Sequence, residues 1–413
     1  MRKIFCSLFV LGSMVQASMI GLDAIGQEQF VGGNVAMAGR GFAGNAKTGE
    51  AEGYSILNPA RNAFDVKTVF NLNFLLDMTT AARGGVSYST NDISMPSFNF
   101  SFPMGSFGAV GLSLWQSYAS TFKENIEDEK KQFDAELEYQ GSIYEVVPSY
   151  SVRLPFFRQV SIGGSAHFLM GSNSRRLTLG PDTEGISDED SWATNTADVS
   201  DYVDGTWEIK NHPAYYTAAI QYRGRQTSYF FSFTTPHTLL NELNYNLRFS
   251  EVDTLVPTGD SREIKVPAML ATGINFKMAK RHNIMADLSW KAWDENIENI
   301  GHSWNLPKVT ETQSDFLASI GYERTGSSLF YDPYLDRMTY RAGAWFKNWY
   351  IKDVYEVGGS VGAGFPLGRK GTTIDLALQG GRRFADDSHN WDEMFVAVRL
   401  GLMGIGQWGN TQR

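Results

Sequence analysis

Along much of the chain, apolar and polar residues alternate one for one, the period of a strand whose two faces meet different surroundings. Over His282 to Trp293, Ile284, Ala286, Leu288, Trp290 and Ala292 share one face, opposite Asn283, Asp287, Ser289 and Lys291. Thr372 to Gly380 sets Ile374, Leu376 and Leu378 against Thr373, Asp375, Ala377 and Gln379. In Val69 to Asp77, Phe70, Leu72, Phe74 and Leu76 oppose Asn71, Asn73 and Asp77. Met394, Val396, Val398, Leu400 and Leu402 likewise oppose Phe395, Ala397, Arg399 and Gly401.

About fourteen such runs occur, near 67–78, 92–102, 106–117, 143–154, 158–170, 212–223, 226–235, 263–276, 282–293, 313–323, 338–348, 355–366, 372–382 and 392–403. Each has roughly the 9–11 residues of a tilted membrane-crossing strand, or slightly more. Their connections alternate between short (Pro103 to Gly105, Pro155 to Phe157, Gly224-Arg225, Met278 to Arg281, Leu367 to Gly371) and long (118–142, 171–211, 236–262, 294–312). Short turns at one end and long loops at the other are the asymmetry of outer-membrane barrels. The connection 324–337 is long where a short one is due. A further strand-like run, Leu239 to Phe249, would make the count odd, and is placed in an external loop.

A soluble β-sandwich or propeller also alternates, but has shorter strands or a 40–50-residue blade repeat, which this chain lacks. Trp115, Tyr118, Trp290, Trp293, Trp345, Trp349, Tyr350 and Trp408 are expected to form interfacial girdles. The reading is therefore all-β: a transmembrane antiparallel β-barrel of about 14 strands in the outer membrane, whose closed wall pairs every backbone group, as lipid requires. Composition agrees. Forty-one glycines suit many tight turns, and past the N-terminus no apolar run is long enough for a spanning helix. A net charge of −9 without a basic stripe argues against nucleic acid as a partner.

Arg2 and Lys3, the apolar stretch Ile4 to Val15, and Val15-Gln16-Ala17 before Ser18 describe a signal peptide over 1–17. Cys6, the one cysteine, would leave with it, so the exported chain has no disulfide and no thiolate site. Residues 18–65 break the strand pattern with Gly32-Gly33-Asn34, Gly39-Arg40-Gly41 and Gly44-Asn45. Phe30, Met37, Phe42, Tyr54, Ile56 and Leu57 give this segment apolar anchors, so it is expected to fill the lumen as a plug ahead of a barrel over 66–408.

The stretch Asn34 to Gly44, followed by Asn58-Pro59-Ala60, resembles the N-terminal hatch of long-chain fatty acid (FadL-type) outer-membrane transporters. Lys265-Val266-Pro267-Ala268, Gly273 to Phe276, Ala286 to Trp290, Tyr340 to Gly343 and Gly362 to Pro366 are similar to that family's barrel. The resemblance spans nearly the whole exported chain, its specific part being the hatch tripeptide in its glycine-rich setting. It implies a fourteen-stranded barrel plugged by a hatch, and uptake of a hydrophobic small molecule by a monomer surrounded by outer-membrane lipid. It also implies gating by Asn58, Pro59 and Ala60. Pro59 lacks an N–H and restricts Asn58 to extended backbone, which suits a rigid turn.

The chain departs from the family in its end, where Trp408 is followed by five more residues, and in an acidic loop over 182–204. Arg153, His167 and Arg399 fall on inward faces, without marking a carboxylate site. Gly358 to Gly362 matches G-x-S-x-G, but inside a small-residue strand rather than the strand-to-helix elbow that a nucleophile needs. The acidic loop lacks EF-hand spacing and reads as a solvated surface. No catalytic residue, metal or cofactor is assigned. Two functions remain: transport of hydrophobic molecules such as long-chain fatty acids, and a same-fold scaffold or shuttle for secretion of the type IX kind. The lumen separates them, since transport needs a dry tunnel lined by Phe, Leu and Val beside the hatch.

Overall fold

The computed structural model describes residues 27–29, 34–49, 52–83, 86–127, 133–181, 201–209, 214–249, 252–293, 312–368, 371–385 and 391–406. The signal peptide, most of the acidic loop, the connection 294–311 and Trp408 lie outside these. Among the described residues there are eighteen strands. A short β1 (Gln27–Glu28) precedes β2 (Thr68–Arg83), β3 (Val86–Pro103), β4 (Ala109–Glu127), β5 (Phe133–Arg153) and β6 (Val160–Pro181). Next come β7 (Asp201–Ile209), β8 (Ala214–Arg223), β9 (Thr227–Thr234), β10 (His237–Phe249), β11 (Val252–Val266) and β12 (Met269–Ala279). The last third holds β13 (His282–Lys291), β14 (Asp315–Arg324), β15 (Thr339–Asn348), β16 (Val354–Leu367), β17 (Thr372–Ala385) and β18 (Trp391–Gly406).

Fourteen of them form one antiparallel circuit. β2 to β6 pair in order, β6 passes to β8, and β9 passes to β12. The circuit continues to β18, which closes on β2 from Trp391–Arg83 to Gly406–Thr68. These are the fourteen predicted runs. Leu239 to Phe249 forms most of β10 and stays out of the circuit. It joins β11 in a hairpin, and β7 ties it to the upper half of β6. With the tall β4–β5 and β5–β6 hairpins, these strands raise an outer sheet over one side of the barrel. The overlong connection 324–337 carries a one-turn helix α1, Tyr334–Arg337, at the short-turn end.

Alternation places the faces as the period requires. Phe74, Met78, Ile220, Phe231, Leu288 and Val396 are exposed on the outside, while Asn73, Asp77, Gln221, Ser232 and Gln379 are buried inside. The girdle expectation fails. Of its aromatics only Trp290 faces outward; Trp115, Tyr118, Trp293, Trp345, Trp349 and Tyr350 are buried. Trp293 ends a strand and Trp349-Tyr350 sit in a turn, so the period of 2 does not fix their direction. That turn, closed by Asp353 at φ 62°, tucks inward. Trp349, Tyr350, Ile351 and Trp293 pack with Tyr118, Ile143, Leu169, Tyr215 and Leu239 in one apolar cluster at the loop end of the lumen.

Among the described residues, one stretch of wall lacks its ladder. The β3–β4 ladder runs from Pro103–Ala109 to Ser97–Trp115 and stops. Just above, Met95 and Pro96 bulge against Phe74 of β2, and Ser117 bulges from β4 against β5. β1 sits on the freed edge of β4, pairing Glu28 with Tyr118 and Gln27 with Ala119.

Candidate functional site: the lumen and its N-terminal segment

Residues 34–49 and 52–65 run inside the barrel, and their order follows from local chemistry. Asn34 caps a single helical turn, Val35–Ala38, accepting the Met37 N–H on its side-chain oxygen at 2.8 Å. A left-handed pair, Gly41 (φ 65°) and Phe42 (φ 68°), then turns the chain so that Arg40 points to the centre. Wall glycines make room for it. A Cβ on Gly343 would lie 2.1 Å from the Arg40 carbonyl carbon, and one on Gly163 would lie 2.5 Å from the Ala60 nitrogen.

Arg40 is wholly buried and bonds Glu52 at 2.9 Å and Glu323 of β14 at 2.8 Å. Lys47 contacts both carboxylates, Glu323 at 2.6 Å. Arg341 of β15 adds a bond to Glu323 at 3.1 Å and one to Asp375 of β17 at 2.5 Å. Burial alone would raise the Glu52 carboxyl, but Arg40 and Lys47 outweigh it and hold that group below the usual range. Burial of an ion pair costs several kcal/mol per charge, which only such multiple bonding offsets. Beside this network, Asp287 of β13 accepts the Gly44 N–H, the Asn45 N–H and the Asn45 side-chain amide at 2.8 to 2.9 Å.

A second clamp lies nearer the loop end. Glu28 of β1 meets Lys291 of β13 and, at 3.1 Å, Lys347 of β15. Burial would raise its carboxyl, yet the two ammonium groups hold it below the usual range. β1 therefore spans the lumen, its backbone on β4 and its side chain on the opposite wall.

The predicted tripeptide lies within this packing. Asn58 donates to Gln221 of β8 at 2.5 Å and to the Asn45 carbonyl at 2.8 Å. Pro59 opens a 3-10 turn, Pro59–Phe64, and the Ala60 carbonyl accepts the Ser161 hydroxyl at 2.8 Å. Gln221 returns a bond to the Ala46 carbonyl at 2.9 Å, so the tripeptide and the Gly44–Ala46 turn share one wall residue. Asp65, at the short-turn end, is raised by burial to about 7 despite Arg61 and a Ser101 hydroxyl.

Arg153 and Arg399 contact the segment. The first donates to the Ala63 carbonyl at 2.7 Å; the second bonds Gln379 at 2.6 Å and lies 5.7 Å over Phe42. His167 joins an arrangement that the sequence reading missed. Its Nδ1 lies 2.9 Å from Glu145, and its Nε2 lies 3.1 Å from Ser165 and 3.0 Å from Thr217. Ser165 and His167 are two apart in β6 and so share the lumenal face; only the register with Glu145 on β5 was beyond reach. The cavity beside them is about 30 Å³, the volume of one water, and Nε2 divides between two hydroxyls. The four residues form a polar ladder across three strands. Ser360 of the G-x-S-x-G match accepts the Gly41 N–H at 2.8 Å from within β16.

Solved structures of the same fold include a Pseudomonas aeruginosa FadL homologue (TM-score 0.59, 14% identity, 91% of this chain and 99% of that one). The P. putida toluene transporter TodX gives a TM-score of 0.59 at 13% identity over 92% and 100%. The CymD monoaromatic hydrocarbon channel gives 0.55 at 14% over 93% and 100%. Among curated proteins no sequence relative is found. These likenesses fix the architecture as that of FadL-type barrels, and the closed circuit with its apolar outer face places the chain in the outer membrane. The family model BamG matches residues 18–413, nearly the entire length, and the chain belongs to the BamG family.

Proposed function

We propose that this protein works as an outer-membrane scaffold for other polypeptides, presenting its wall and raised outer sheet while its lumen stays shut. The observation that carries this reading is the filling of the lumen. Where transport asks for a dry, Phe/Leu/Val-lined tunnel, the described residues show ion pairs and amide bonds packed around Arg40, under an apolar cluster that is itself packed. A hydrocarbon crossing that layer would need the Arg40 and Lys47 bonds broken first, each a charged group buried against carboxylates.

A second reading, uptake of a hydrophobic molecule such as a long-chain fatty acid, is favoured by the likeness to channels and transporters of hydrocarbons. In it residues 34–65 act as a hatch, with Asn58, Pro59 and Ala60 as the gate that lets go of Gln221 and Ser161.

A tether separates the two. A Cβ on Gly39 would lie 3.6 Å from that of Ala377, within disulfide range. Gly39→Cys with Ala377→Cys, in an exported chain without other cysteines, fixes the segment to β17. On the scaffold reading the oxidised protein keeps the surface-protein composition of the cell unchanged, and uptake of labelled oleate and toluene is the same with and without the protein. Uptake that depends on the protein, falls on oxidation and returns on reduction would overturn it in favour of the hatch.

A further inference from the structure

The short-turn end of the barrel carries charges that the packing of the lumen does not use. In a chain of net charge −9, the β5–β6 and β8–β9 turns and their strand ends hold Arg153, Arg158, Arg223 and Arg225, and Lys67 follows at the exit of the N-terminal segment. The same stretches contain a single carboxylate, Asp65, which is bonded to the Ser101 hydroxyl. Register brings the two turns together, since the Arg223 N–H donates to the Gln159 carbonyl at 2.7 Å. Arg153 and Arg223 lie over the same ring, Phe64, each 5.5 Å from its centroid. Both Arg223 and Arg158 repel Arg153. Among the described residues, none of these three guanidinium groups forms an ion pair; the side chain of Arg153 donates only to the Ala63 carbonyl. Converging like charges cost energy, and an anion placed among them removes that cost.

The shape of this end supplies room for one. A recess of about 760 Å³ opens there, with Arg153, Arg158 and Lys67 in its lining. The last residues of the N-terminal segment, Ala63 and Asp65 to Thr68, form one side, and the β3–β4 and β5–β6 turns form the other. Short turns face the periplasm in an outer-membrane barrel, so the recess opens to water. Its rim is apolar. Phe107 and Phe156, at the tips of the two turns, are 75% and 93% exposed, and the Tyr150 hydroxyl holds the first turn by the Phe107 carbonyl at 2.5 Å.

We propose that this recess is a docking site for an acidic segment of a periplasmic polypeptide, whose carboxylates pair with Arg153 and Arg158 while its apolar side chains cover Phe107 and Phe156. The guanidinium fork meets a carboxylate with two parallel bonds, which suits Asp and Glu side chains. Large aromatics left bare beside a charged recess mark a protein contact, and a small anion would leave them bare. A lipid headgroup approaches from the bilayer, whereas one side of this recess is the lumenal segment itself. Gly406 also lines the recess, and residues 407–413 after it include Arg413 and no Asp or Glu, so charge does not select them as the occupant. This rests on the scaffold reading and names its aqueous surface. The uptake assay on the tethered variant tests that reading separately, since neither Gly39 nor Ala377 lines the recess.

The probe is a synthetic twelve-residue peptide of repeating Asp-Leu-Glu-Phe, carrying a fluorophore and a central photo-crosslinker, added to the full protein in phosphatidylcholine nanodiscs. Saturable binding is expected, weaker at higher salt, with crosslinks confined to 63–68, 102–108 and 153–158. The same peptide with Asn and Gln in place of its acids should bind at least ~10-fold more weakly, and so should the acidic peptide on Arg158→Glu. Arg158 is an exposed turn residue, so that variant should keep the melting temperature of the parent. Phe156→Ser, equally exposed, should weaken binding severalfold without adding charge. No binding, equal binding of the amide peptide, undiminished binding to Arg158→Glu, or crosslinks elsewhere would overturn the proposal. So would displacement by free glutamate at the same carboxylate concentration, which would make the recess a small-anion site. Displacement by glycerol phosphate at that concentration would overturn it in favour of a lipid headgroup.

Discussion

Single residues decide how firmly the lumen is filled. Arg40 stands between Glu52 and Glu323, so Arg40→Met leaves two buried carboxylates with fewer cations and should cost ~3–5 kcal/mol. Thermal unfolding in detergent, followed by gel mobility, measures the loss. The further change Glu323→Gln in the same chain should restore part of it, as removing the second charge relieves the first. Sterics give a sharper contrast. Gly343→Ala drives a methyl into the Arg40–Gly41 backbone and should destabilise by ~1–3 kcal/mol. Gly359→Ala, with only a carbonyl 3.6 Å away, should change little.

The acid groups of the segment respond to pH in opposite senses. Asp65 titrates near ~3.9 when unfolded and about 7 when buried, so the packed segment binds that proton more tightly. Its packing therefore weakens as pH rises from ~4 to 7. Glu52, held low, contributes above its unfolded value of ~4.3, and that contribution is lost as pH falls through the lower folded value. Hydrogen-exchange protection of residues 52–64, corrected for intrinsic rates, should peak near pH ~4, and Asp65→Asn should abolish the decline toward neutral pH. An unchanged decline in that variant would assign it to another group.

At the scale of elements, the barrel was legible because a strand with lipid on one side and a polar lumen on the other writes its faces at period 2. Phe70 against Asn71 and Leu376 against Asp375 carry that pattern without help from distant residues. The interior was not legible. Whether Trp349 points to lipid or lumen depends on an inward turn closed by Asp353, and the pairing of Arg40 with Glu323 spans 283 positions. Asn58-Pro59-Ala60 could be placed at the end of the plug from its backbone restrictions, but its bond to Gln221 depends on register. β10 shows the same divide: its strand character was readable, while its membership of an outer sheet required β7. The tip of that sheet lies beyond the circuit, so replacing Asn244 to Pro257 by a two-residue turn should leave the melting temperature of the barrel within a few degrees.

For the molecule as a whole, the N-terminal segment touches almost every sector of the wall. β1 lies on β4, Asn58 on β8, Asn45 on β13, Arg40 on β14, Gly41 on β16 and Ala38 near β17. The wall partner of Arg40, Glu323, belongs to the last third of the sequence, whereas Arg40 lies near its start. The pair of Arg40 with Glu52 is local to the segment, but its bond to Glu323 needs β14 in place. The interior charges are thus fully matched only in a ring that contains β14: an incomplete one offers Arg40 no carboxylate from the wall.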